Sequence, residues 1–497
     1  MLRELAELRE DAAAACAKLA QRRLRRAQGL PFEPLREVLR AHPLAVSADG
    51  LQQASEALGE ALQDDPPRPG RVARLASLRD FLLRLRALEL EPGAAEELFT
   101  LPHRPLVRPP GDAGLHGALP PVMAERELPL LRQRQRRAEL EEALNDALGP
   151  LDGLRGAIWE AAQAALSEAK CTPEDLHARG WSSENPRAVA EQVLAGTDAI
   201  VKDLGAWLLE RNCGGADRHD VLHLIHAPPC APAFPAGELQ RTVRRWADLL
   251  RFDPSADRSI KLDEDDRPLK AALAHTEPVD PPHEIMLSVL PQEGPRTLSA
   301  MLGALSVAQL RAGPPADAPP EDLWLGDPAV AWACHALLEG LLLDSQFLKR
   351  CAKADLKPDD ERALAMAAVY DARLSAARTL SSLLAHELGP SARATQAHRD
   401  AFQRATGANL PPGLALRELD PWLDSYAEVR GRALAARMRE HLRDRFDEDW
   451  YRNPRALQAL NGLWSRGGRS TIPELWTEVG GAPSTAPLTA WLTAACR

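Results

Sequence analysis

Aromatic residues are scarce in this 497-residue chain: they make up 4% of it, and only three are tyrosines, against eleven tryptophans. Alanine, leucine and arginine dominate in their place. These side chains lose little rotamer freedom in a helix, so the composition favours helix. Cysteine is sparse too. The seven positions (16, 171, 213, 230, 334, 351 and 496) are odd in number, scattered, and include no CxxC pair. That excludes a zinc knuckle or a disulfide framework and leaves small, reduced, buried thiols. No apolar run approaches the roughly 18 residues of a membrane span. There is no positive excess either: 61 basic against 71 acidic residues give a net charge of −10, with the signs interleaved, so no nucleic-acid footprint is present. The one dense basic run, QRRLRRAQG at 21–29, reads as the solvated face of a first helix. The stretch before it, MLRELAELREDAAAACAKLA, reads as an amphipathic charged helix and not as a signal peptide, which makes a cytoplasmic location the default expectation.

What is present is a large apolar and charged inventory, 45% hydrophobic and 27% charged, enough for one big helical body or two to three subdomains. The 42 prolines punctuate apolar-periodic stretches. Helical periodicity runs through 1–98, and the Pro- and Gly-rich stretch 99–120 predicts a short hairpin or extended linker. Long helices then continue to 217. From 218 to 497 the chain reads as a third, core region. Its only β segment lies near 258–294, where EIMLSVL at 284–290 alternates and places Ile285, Leu287 and Val289 on one face. The turn PQEG leads into a helix over 296–311, in which Leu298, Met301, Leu302 and Leu305 recur at helical spacing. A second helix is expected over 328–343. The fold class is mainly α, with one small sheet and no internal repeat.

Residues 219–223 read HDVLH, one carboxylate change away from the helical zinc motif HExxH. Spacing of i, i+4 puts His219 and His223 on one helix face, as zinc requires. The rest of the context is poor. Asp is one methylene shorter than Glu as a general base. Asp217 reads as an N-cap, a Gly turn precedes it and a Pro-rich break follows, so the helix is about two turns long and His219 is expected near solvent. A relocated zinc site using His219, His223 and a distant carboxylate is therefore the rival reading, and a structural role the main one.

The stretch PHEIMLSVLPQEGPRTLSAMLGALSVAQL (282–310) resembles the edge strand and zinc helix of gluzincin metallopeptidases of the thimet-oligopeptidase and oligoendopeptidase F type, related in fold to angiotensin-converting enzyme. Similar likenesses cover RHDVLHLIHAPPCAPAFPAGEL, LGDPAVAWACHALLEGLLLDSQFL (the helix carrying the third ligand) and the segment 418–467. The resemblance implies a zincin-like oligopeptidase body with a deep cleft. Carried over residue by residue, it places the first zinc histidine at Gly303, the general-base glutamate at Ala304, the second histidine at Val307 and the third-ligand glutamate at Trp332. The oxyanion-stabilising tyrosines fall at Asp424 and Glu428, with Tyr426 between them on another helical face. None of the four zinc-site residues can ligate a metal, and zinc needs about three protein ligands. The resemblance therefore implies a pseudopeptidase without zinc. A peptide added to the edge strand 284–290, or an active homologous peptidase as partner, would be its remaining business; a purely structural helical scaffold is the third option.

Overall fold

The computed structural model describes residues 2–66, 68–109, 117–178, 184–249, 259–271, 273–290 and 292–497. The helices that build the sites below are α1 (Leu2–Ala27), α2 (Pro69–Leu90), α3 (Arg134–Leu148), α4 (Asp152–Glu168), α5 (Arg218–His226), α6 (Pro295–Ala312), α7 (Pro328–Glu339), α8 (Pro358–Leu388), α9 (Asp424–Phe446) and α10 (Ala486–Ala495). The body is mostly helical, with one three-stranded sheet among the described residues: β1 (Ile260–Asp263), β2 (Ala274–Asp280) and β3 (Glu284–Val289). In the 99–120 stretch, Val107 and Leu119 pair antiparallel, in line with a short hairpin, while 110–116 lie outside the described residues.

Local chemistry sets the helix starts. Gly294 takes φ 117°, a conformation that favours glycine, and Pro295 then opens α6 with its φ already helical. Leu298, Met301, Leu302 and Leu305 all enter the core, as their spacing predicts. Pro328 opens α7 in the same way, and the Asp327 carboxylate caps it by accepting from the Ala329 N–H at 2.9 Å. Helix α7 packs on α6 along one side and on α9 along the other, within a single apolar cluster that also takes in Leu287 and Val289 of β3.

Strand β3 corrects one expectation. It is the central strand, not an edge: β1 pairs with it in parallel (Ile260 opposite Ile285) and β2 antiparallel (Thr276 opposite Leu287). Ile285, Leu287 and Val289 are core residues. With both of its edges hydrogen-bonded, β3 has no free ladder to offer a peptide. The alternating pattern identifies a half-buried strand correctly but carries no information on which strands flank it.

The basic run at the end of α1 is solvated at Gln21, Arg23 and Arg25, but not throughout. Arg22 is buried, donating to the Glu96 carboxylate at 2.5 Å and to the Glu33 carbonyl at 3.0 Å. Arg23 forms a two-pronged pair with Glu277 of β2 at 2.9 and 3.1 Å. The run thus ties α1 to the sheet. Three further pairs join the N-terminal helices to later segments: Arg9–Glu321 at 2.6 Å, Arg74–Asp322 at 2.7 Å and Arg84–Asp424 at 2.5 Å.

Candidate functional site

Gly303 and Ala304 lie on α6, where Gly303 faces His335 of α7, and Trp332 of α7 lies against α9; Val307 is a half-buried residue of α6. A side chain at 303 would have nowhere to go: a Cβ built on Gly303 would sit 2.5 Å from Cε1 and Nε2 of His335. The His335 ring fills that space and meets the Trp332 ring edge-on at 5.4 Å. Trp332 in turn rests on a second glycine, since a Cβ on Gly431 of α9 would come within 2.4 Å of the Trp332 Cβ. The carbonyl of Ala304 accepts a hydrogen bond from the Thr276 hydroxyl of β2 at 2.8 Å. Two rings are thus seated on two glycines.

The fit of a zinc ion to these positions is poor on the chemistry of the donors. None of the four offers a ligand atom. His335 is the nearest imidazole; burial holds its pKa below the ordinary value, the nearby Glu339 opposing and the Arg432 and Arg296 guanidiniums adding to the effect. Glu339, one turn further along α7, is already engaged. It receives Arg432 Nη1 at 3.0 Å and the Ser299 hydroxyl at 3.2 Å, and it faces Arg296 at 3.5 Å.

Glu339 belongs to a larger network under the N-terminal half of α6. Arg296 pairs with Asp371 of α8; Arg432 donates to Glu428 at 3.0 Å; Arg378 faces Glu428 at 3.6 Å. Three guanidiniums meet three carboxylates, so the group is formally neutral. It forms one wall of a cavity whose other wall is apolar, with Leu364, Trp491 and Leu492. Each of these six charges has an opposite partner, and the His335 imidazole lies beside them.

Of the expected oxyanion positions, Asp424 is bound through both carboxylate oxygens by Arg84, and Glu428 is held by Arg432. Tyr426 is buried, and its hydroxyl donates to Glu184 at 3.0 Å. These side chains are committed to packing and ion pairing. Sequence reading misses the network itself, because its members come from four helices and only the i, i+4 pair Glu428 and Arg432 is visible locally.

HDVLH lies in α5. Asp217 takes the N-cap place, and its N–H donates to the Asp220 carboxylate at 3.2 Å. His219, expected near solvent, is instead 3% exposed. The reason is α3, which lays Arg134, Arg137 and Glu141 over the first turn of α5. Nδ1 of His219 lies 2.8 Å from Glu141, and Asp220 receives Arg137 at 2.9 Å and Arg134 at 3.1 Å. Nδ1 of His223 pairs with the Pro129 carbonyl at 2.7 Å. Burial lowers the His223 pKa, and Arg137 lowers it further. Asp217, His219 and Asp220 are the one set of three potential metal ligands found together among the described residues. Two guanidiniums already hold both of its carboxylates, so a cation would have to displace them.

The network continues through Arg218, which faces Glu141 and Glu418, and through His398, 3.3 Å from Glu418. Burial alone would raise the Glu418 carboxyl; the hydrogen bond from His398 and the Arg218 charge outweigh it and hold the pKa at about 2. Burial opposes Glu339 in the same way, and Arg432 followed by other neighbours overrides it, again to about 2. Both folded-state values lie below the unfolded one, so the stability they contribute is full above about pH 4.5 and is lost as pH falls towards about 2. We expect urea unfolding to report a loss on the order of 3 kcal/mol from each group across that window. Glu418→Gln should flatten its share of this acid limb while lowering stability at neutral pH. An unchanged limb would remove the assignment.

No protein-family profile matches the sequence, and no curated protein matches it. Solved structures do. A carboxypeptidase from Pyrococcus furiosus superposes with a TM-score of 0.60 at 14% identity, covering 100% of this chain and 98% of that one. The M32 carboxypeptidase of Deinococcus radiodurans R1 gives 0.57 at 14%, covering 99% and 98%. PZ peptidase A gives 0.62 at 11%, covering 100% and 96%. At this identity the likeness is one of fold, and over its whole length this chain has the fold of the helical metallopeptidases.

Proposed function

We propose that this chain is a pseudopeptidase: a metallopeptidase body that has exchanged its metal centre for packing and acts by binding. The observation that carries this reading is the Gly303–His335 interlock. Restoring a histidine at 303 would require the His335 ring to leave, and with it the contact to Trp332. Ala304 and Val307 supply neither base nor ligand, and nothing at these positions would lower the pKa of a water. The rival, a relocated zinc site at His219 and His223, is disfavoured by the carboxylate and carbonyl that already engage their Nδ1 atoms and by the arginines around Asp220. An active homologous peptidase remains a candidate partner, as does a peptide held elsewhere than on β3.

The test uses full-length protein purified without an affinity tag. Metal analysis is expected to find only traces of zinc, and fluorogenic peptides are expected to be cleaved no faster than in buffer, with or without added zinc. Stoichiometric zinc that His223→Ala abolishes would replace this reading by the rival one. Zinc-dependent hydrolysis that survives that substitution would overturn both.

A further inference from the structure

A second cavity lies far from this chemistry in composition and shares no wall residue with it. Its walls come from the C-terminal end of α1, the residues around 98–102 and 121–125, α4, and residues 416–421. The space inside it that water can occupy is about 270 Å³, at the small end of the roughly 300–1,000 Å³ of small-molecule sites. Most of the lining is apolar, including Leu98, Pro102, Pro121 and Ile158. Into this surface project three guanidiniums: Arg26, Arg155 and Arg417.

The charges do not balance as they do beneath α6. Arg417 pairs with Glu125, and Arg155 with Asp152. Arg26 makes no ion pair or hydrogen bond among the described residues; its guanidinium rests 4.5 Å from the centre of the Phe99 ring. Burial lowers the Arg26 pKa, and repulsion from Arg22 and Arg417 lowers it further. Arg155 is likewise lowered, by burial first, with Arg417 contributing. A fourth donor is idle as well. Trp159 lines the same cavity, is 4% exposed, and its indole N–H has no acceptor. A half-buried cation without a partner and a buried donor without an acceptor are both unfavourable, and an anion would relieve them together.

We propose that this cavity binds a small amphiphilic anion, a carboxylate or phosphate head on an apolar body, with Arg26 as the principal contact of the head. Arg155, Arg417 and the Trp159 N–H complete the head site, and the leucine, proline and isoleucine walls take the body. Charge-assisted bonds from guanidinium to carboxylate or phosphate are the strong kind, and the Arg fork suits both heads. The proposal does not depend on whether the chain is a peptidase.

Isothermal titration of the full chain with decanoate, decyl phosphate, decanol and inorganic phosphate tests it. Saturable binding is expected for both amphiphilic anions, with decanol and inorganic phosphate each weaker by roughly tenfold or more. The ratio of decanoate to decyl phosphate affinity decides which head the site prefers. Arg26→Gln should weaken both anions by roughly tenfold and leave decanol unchanged, with at most a small loss of thermal stability, since Arg26 has only its stacking on Phe99 to lose. Leu98→Trp, which fills the cavity at constant charge, should abolish binding of all the amphiphiles. Without any variant, anion affinity should fall with added salt while decanol affinity does not. Absence of saturable anion binding, inorganic phosphate binding as tightly as decyl phosphate, equal loss of decanol in Arg26→Gln, or unaltered binding in Leu98→Trp would each overturn the proposal.

Discussion

Replacing Arg432 by leucine is expected to cost roughly 3–5 kcal/mol of folding stability, the range for removing one partner from a buried ion pair. Its guanidinium bridges two carboxylates, with Nη1 3.0 Å from Glu339 and Nε 3.0 Å from Glu428. Without it, the cations left are Arg296, 3.5 Å from Glu339, and Arg378, 3.6 Å from Glu428. Two carboxylates of one sign are then left facing each other's field inside the fold. Against a typical total of about 5–15 kcal/mol for a folded domain, the loss is a large fraction. Arg432→Lys should recover only part of it, because an ammonium is a point charge and cannot present two N–H groups in a fixed fork. The penalty should also shrink as pH falls through the ordinary glutamate range, because burial without Arg432 lets Glu339 and Glu428 take up protons more readily in the variant. Urea unfolding at neutral and acidic pH measures all three expectations. A loss below about 1 kcal/mol in Arg432→Leu would mean that the network behaves like a surface one.

The neighbouring position gives the second large effect, by sterics alone. Gly431→Ala is expected to destabilise the protein by about 2 kcal/mol or more, at the upper end of ordinary overpacking. The added methyl carbon would lie 2.4 Å from the Trp332 Cβ, 2.7 Å from the Ala329 carbonyl oxygen and 2.8 Å from the Ala333 nitrogen. Two of these are backbone atoms of α7 and the third is bonded to its backbone. No rotamer change relieves the contact, so α7 and α9 must move apart. The helix propensity of alanine works the other way, by about 1 kcal/mol. Gly462 provides the control: it is exposed, lies in the helix Pro454–Trp464, and has open space within 4 Å of where a methyl group would stand. Gly462→Ala should therefore stabilise by up to about 1 kcal/mol. Thermal unfolding of the two variants should move in opposite directions. A neutral Gly431→Ala would contradict the close approach of α7 to α9.

Much of the fold is legible in the sequence. The starts of α6 and α7 follow from Gly294, Pro295, Asp327 and Pro328, which act within a turn of their own position, whereas α7 ends at Glu339 and not at the expected 343. That Gly303, Ala304, Val307 and Trp332 carry no side-chain ligand atom is equally a matter of residue identity. Local pattern also places the two imidazoles of HDVLH on one short helix after an Asp217 cap.

The corrections share one cause, which is distance along the chain. Alternation is local and silent on neighbours, and the edge place of β3 is implied only by the family resemblance, whereas β1 and β2 take its two sides from other segments. The short helix suggests solvent around His219, because nothing nearby announces that Arg134, Arg137 and Glu141 of α3 will cover it. The basic run of α1 has the look of a solvated face, although Arg22 reaches Glu96 and Arg23 reaches Glu277.

By itself, the sequence determined the helical class, the helix starts and the lack of ligand atoms at four positions, because propensity, capping and residue chemistry are short-range. Only the tertiary structure decided what surrounds those positions: His335 over Gly303, Trp332 over Gly431, and a neutral set of six charges beneath. It alone also brought Arg26, Arg155 and Arg417 to one cavity. Burial and charge pairing depend on which surfaces meet, and that is settled by packing of segments far apart in the chain.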